Sequence, residues 1–63
     1  MAKVNHIERH YGVTKIIVTG ATLQDQAVRL AAESVKCSAE WMRVNACQST
    51  RYENGRRIDV FCY

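Results

Sequence analysis

A lone amphipathic stretch between Thr22 and Lys36, flanked on both sides by segments of strand character, limits the folds open to this chain more than any other feature. Leu23, Ala27, Leu30, Ala31 and Val35 follow at intervals of four, three, one and four, which lines them along one side of an α-helix. Gln24, Asp25, Arg29, Glu33 and Lys36 fall on the opposite side, with Arg29 and Glu33 one turn apart and able to pair. Thr22 offers a capping hydroxyl, and Asp25 places an acid near the positive end of the helix dipole. The small Ala27 and Ala31 let the helix axis approach a sheet closely. The pattern predicts one helix, Leu23 to Lys36.

The flanking segments read as strands. Val13-Thr14-Lys15-Ile16-Ile17-Val18-Thr19 is rich in β-branched residues and stops at Gly20, as a central strand does. Lys3 to Tyr11, anchored by Val4 and Ile7, precedes it by a single glycine, Gly12. So short a connection requires an antiparallel hairpin. Beyond the helix, Glu40 to Cys47 alternates, with Met42, Val44 and Ala46 against Trp41, Arg43 and Asn45. Arg57 to Tyr63 does the same, with Ile58, Val60 and Cys62 against Arg57, Asp59, Phe61 and Tyr63. Asn54-Gly55 between them is a strong hairpin signal. The order predicts an α+β fold, ββαββ, in which one helix packs on one face of a four-stranded antiparallel sheet.

At 63 residues the chain has room for a single domain, residues 1–63, and a core that leaves little space for an enclosed pocket. Its apolar and charged fractions, 48% and 24%, are those of a globular protein and argue against disorder. Nine Lys and Arg against six Asp and Glu give a net charge of +3, mild enough to suit either an acidic protein or a nucleic acid. The three cysteines, Cys37, Cys47 and Cys62, form no Cys-x-x-Cys pair, and the first residues hold no apolar stretch of the signal type. Free thiols in a reducing cytoplasm are the expectation, each cysteine reading first as a small apolar side chain. No apolar run is long enough to span a membrane.

One helix covers one sheet face, so the other is predicted to be open. That face is expected to present Trp41, Arg43, Arg57, Phe61 and Tyr63, residue types enriched where proteins meet partners. Arg29 and Lys36 on the helix extend the candidate contact set. The same residues also fit a plainer reading, in which Trp41 and Phe61 form a stabilising cross-strand pair.

Signatures of catalysis are missing. Gly12, Gly20 and Gly55 are too scattered to cradle a phosphate. His6 and His10 share one side of a strand but stand roughly 13 Å apart, too far for one metal ion. Glu33, Glu40, Glu53 and Asp59 fall on different elements, and nothing marks a cysteine as activated. The chain is read as a non-catalytic binder without cofactor or metal.

Several short features form an ordered series: Thr14-x-Ile16 in a strand, Thr22-Leu23 opening a helix with Ala27-x-Arg29 downstream, and Cys37 after it. Met42-Arg43 in the third strand, Tyr52-Glu53 before Gly55, a basic pair and a late Asp59-Val60 complete it. Taken in order, these features resemble a family of phage-encoded subtype I-F anti-CRISPR proteins. The resemblance implies the ββαββ fold and an inhibitor docked on the backbone subunit of a type I CRISPR surveillance complex, where target DNA would otherwise lie. Val28 and Glu33 stand where that family carries exposed lysines, so no individual contact residue carries across. A looser resemblance links the chain to the small RNA polymerase inhibitors of T7-like phages, whose acidic character it does not share. Two further readings stay open beside the inhibitor: a small basic nucleic-acid-binding domain, stacking bases on an open sheet face, and a homodimer formed through an edge strand or the aromatic face.

Overall fold

The computed structural model describes all residues from Met1 to Tyr63 and shows an α+β fold with a four-stranded antiparallel sheet and two helices. In chain order the elements are β1 (Lys3–His10), β2 (Val13–Thr19), α1 (Gln24–Ser34), α2 (Ala39–Asn45), β3 (Cys47–Glu53) and β4 (Arg56–Cys62). The sheet order is β1-β2-β4-β3, which puts the two most apolar strands in the middle. Both hairpins close through two residues in the left-handed region, Tyr11-Gly12 and Asn54-Gly55. Paired positive φ angles at adjacent positions define the turn whose twist matches that of the strands. Glycine accepts this conformation freely at the second position of each turn. No helix is long and apolar enough to cross a membrane.

Helix α1 lies where expected, but its buried side is rotated. Ala27, Val28, Ala31 and Ala32 are sealed, while Leu23 is 67% exposed and Leu30 only partly covered. Adjacent small residues at 27/28 and 31/32 pack more closely on the sheet than the wider stripe through Leu23 and Leu30 would. Thr22 does not cap the helix through its hydroxyl. Instead the Gln26 side chain reaches back, its Oε1 accepting from the Thr22 amide at 2.9 Å. At the other end the Cys37 and Lys36 amides donate to the carbonyls of Ala32 and Glu33, with Lys36 left-handed at φ 58°. This is a Schellman stop with lysine in the usual glycine position.

The stretch expected to be the third strand is a helix. Ser38 caps it, accepting from the Trp41 amide at 3.0 Å, with Glu40 in the first turn and Arg43 in the last. Met42 is its one fully buried residue, joined by partly buried Ala39 and Ala46 at helical spacings of three and four. Period two and period 3.6 both fit so short a segment, and packing against α1 selects the second. The third strand is β3, displaced toward the turn. Cys47 to Glu53 carries no apolar alternation because it is an edge strand exposed along most of its length.

The core forms between the sheet and the helices. Ile16, Val18 and Phe61 meet Ala27, Val28, Ala31, Ala32 and Met42, with Ala21 closing one end. Ile16 lies opposite Phe61 and Val18 opposite Asp59, so these side chains share the helix-covered face.

Candidate interaction surface

The sheet has an open face, and its composition differs from expectation. Phe61 is 0% exposed and points into the core beneath α1. Arg57 and Tyr63 lie on the same covered side, two residues to either side of Asp59 and Phe61 in the pleat. Trp41 and Arg43 belong to α2, not to a strand. The five residues expected to share an open sheet face therefore do not, and Trp41 and Phe61 form no cross-strand pair. The physical cause is pleat phase: β4 carries apolar side chains on both sides, Ile58, Val60 and Cys62 against Phe61 and Tyr63, and the helices pack on the side of Phe61.

Trp41 remains 42% exposed and packs edge-on against Tyr63, with ring centroids 5.1 Å apart. Beside it Val44 is 77% exposed, and Ser38, Glu40 and Asn45 rim this small apolar patch on α2. Arg43 pairs with Asp25, which Arg29 also meets at 3.0 Å. Arg43 and Arg29 are thus brought together by one carboxylate, and both stay exposed. The pairing of Arg29 with Glu33 expected from their spacing is replaced by Arg29 with Asp25. Lys36 stands apart at the end of α1 without an ion-pair partner.

Arg57 has a structural partner. Asp59 is fully buried, and its carboxylate accepts from Thr50 Oγ1 at 2.6 Å and from Arg57 Nε and Nη2 at 3.0 and 3.2 Å. The hydrogen bond from Arg57 to Asp59 holds the guanidinium more basic than usual, with desolvation opposing. A buried carboxylate needs such partners to remain in the interior. The cluster ties β3 to β4.

On the open face, Ile17, Ile58 and Val60 of the two central strands form a low apolar floor. Register places Lys3 across from Thr19, Arg51 across from Ile58, and Arg56 across from Glu53, with Lys15 between Glu8 and Cys62. The face thus carries four cations, Lys3, Lys15, Arg51 and Arg56, against two carboxylates, Glu8 and Glu53. Glu53 is taken by Arg51 at 3.1 Å, and Glu8 meets His6 at 3.2 Å. Lys3, Lys15 and Arg56 are left without a counter-ion. Lys3 and Arg56 converge on one shallow depression with Thr19 and Gly20. The free carboxylates, Glu33 and Glu40, lie on the helices. Most of the net positive charge is therefore on the open sheet face.

None of these open-face residues entered the sequence-derived set. The signal was present in β2, where Lys15 breaks an otherwise apolar run and marks positions 13, 15 and 17 as outward. No group of three His, Cys, Asp or Glu side chains comes together in a metal-binding arrangement. His10 instead packs edge-on against Tyr11. Comparison with protein-family models, with curated proteins and with solved structures finds no match.

Proposed function

We propose that this chain is a non-catalytic inhibitor that binds a host nucleoprotein machine, acting as an anti-CRISPR protein that docks on a type I CRISPR surveillance complex and blocks target DNA binding. The observation that carries this reading is the separation of surface chemistry. Three cations without counter-ions sit on the open sheet face, and the exposed Trp41–Val44 patch sits in the helical layer. A partner made of both nucleic acid and protein suits such a molecule: phosphates attract free cations, and an aromatic beside an aliphatic side chain anchors on protein. The resemblance of the ordered series of short motifs to the anti-CRISPR family adds to this. Within that series Thr14, Ile16 and Ala27 are buried and Arg29 is exposed, while Met42-Arg43 lies on a helix and not in a strand.

The test is target-DNA capture by a reconstituted, guide-loaded surveillance complex preincubated with excess protein. Loss of capture is expected, with recovery when Lys3, Lys15 and Arg56 are all changed to glutamate. Unimpaired capture overturns the proposal. The same free cations favour a second reading, in which the chain binds nucleic acid alone. A gel shift by the isolated protein that weakens steeply with salt supports that reading. No shift at micromolar protein removes it and leaves the complex as the partner.

A further inference from the structure

Two of the three cysteines, widely separated in sequence, are neighbours in the sheet. Cys47 at the start of β3 lies directly opposite Cys62 near the end of β4, and both side chains project from the open face. The hydrogen-bond phase of β4 defines their geometry. Tyr63 exchanges both backbone bonds with Thr14, at 2.8 and 3.0 Å, and the Arg57 carbonyl accepts from Gly20, so the odd-numbered residues of β4 turn their backbone groups toward β2. Cys62 therefore turns its own toward β3, and Cys47–Cys62 is a hydrogen-bonded pair. In such pairs the Cα atoms stand about 5.5 Å apart, inside the range of roughly 4.4–6.8 Å that disulfides span. The Cβ atoms of opposed residues stand roughly 4.5–5.5 Å apart, toward the wider end in hydrogen-bonded pairs, and must close by about 1 Å or more to reach disulfide spacing. That distortion strains the bond, so that it is readily reduced.

We propose that Cys47 and Cys62 are a redox-responsive dithiol, which a glutathione disulfide converts to an intramolecular cross-strand disulfide. Cys47 is exposed and Cys62 half-buried, which assigns the order of events. The Cys47 thiolate attacks one sulfur of oxidised glutathione, forming a mixed disulfide and releasing one glutathione thiolate. The Cys62 thiolate then attacks the Cys47 sulfur and releases the second glutathione. The protein loses two electrons and two protons, and one oxidised glutathione becomes two reduced molecules. Cys37 takes no part: it packs against the core behind α1. The new bond would link the exit of α2 to the C-terminal strand, in the row occupied by Lys15 on the open face. This inference stands on sheet register and is independent of the function proposed above.

The test treats the folded full-length chain with oxidised glutathione, followed by alkylation, intact-mass measurement and non-reducing peptide mapping. The expected product has lost two hydrogens, joins the Cys47 and Cys62 peptides, leaves Cys37 open to alkylation after unfolding, and reverts with reduced glutathione. Cys62→Ser is expected to stop at a glutathione adduct on Cys47, and Cys62→Ala serves the same purpose if serine unsettles the sheet. Cys37→Ser is expected to oxidise as the parent does. A stable glutathione adduct on Cys47 in the parent chain, a disulfide involving Cys37, or covalent dimers through Cys47 would each overturn the proposal.

Discussion

The covered and open faces of the sheet are built from the same strands, yet adjacent residues on them meet different environments. On the helix side Ile16, Val18 and Phe61 are sealed, and the one carboxylate present, Asp59, is held by Thr50 and Arg57. On the open side Ile17 and Val60 are only partly covered, and Lys3, Lys15 and Arg56 have no counter-ion. The buried charge is neutralised because burial makes an unpaired charge costly, whereas Arg9, on the same side of the outer strand, is exposed and needs no partner. On the open face water bears that cost, and charge is free to serve a partner. Exposure and the lack of an ion-pair partner therefore separate the arginines usable for recognition from those that hold the fold, a distinction invisible in the residue type itself.

The largest expected contrast lies between neighbours in β4. Phe61→Ala should lower unfolding free energy by about 3–5 kcal/mol, because it opens a cavity in the core. Val60→Ala on the other face should cost about 1 kcal/mol or less. Denaturant titration of both variants checks this, and equal losses would erase the distinction between the faces. A smaller effect is expected in β2. The buried Thr14 hydroxyl has no hydrogen-bond partner. Thr14→Val removes that orphan group at constant shape and should raise stability by about 1 kcal/mol, read as a higher denaturant midpoint. A drop would mean that the hydroxyl is satisfied. Smallest per site should be the stability change on converting Lys3, Lys15 and Arg56 to alanine, within about 0.5 kcal/mol for each exposed site. Thermal unfolding that stays near the parent's while capture inhibition disappears would assign these residues to recognition alone.

Much of the fold was legible in particular residues. The β-branched run at Val13–Thr19, the Ala-rich helix and the Asn54-Gly55 turn each appear where local chemistry placed them. The region from Ala39 to Glu53 did not read correctly. Its first half satisfies both helical and strand spacing over only seven residues, and its second half is a polar edge strand with no apolar period. The candidate site suffered most from this. Moving Trp41 and Arg43 onto a helix and turning Phe61 inward removed the expected aromatic face, although Trp41, Arg43, Arg29 and Lys36 all remain exposed.

By itself, the sequence determined what short-range chemistry can determine: the turn at Asn54-Gly55, the strand hairpin before the first helix, and a small-residue side on that helix for close packing, while helix and strand stayed undecided from Ala39 to Glu53. Only the tertiary structure decided which side of each strand is covered, which cations keep a counter-ion, and that Cys47 faces Cys62. Those outcomes depend on register and on contacts between residues distant in the chain. A strand's pleat presents both of its sides equally until another element packs against one of them.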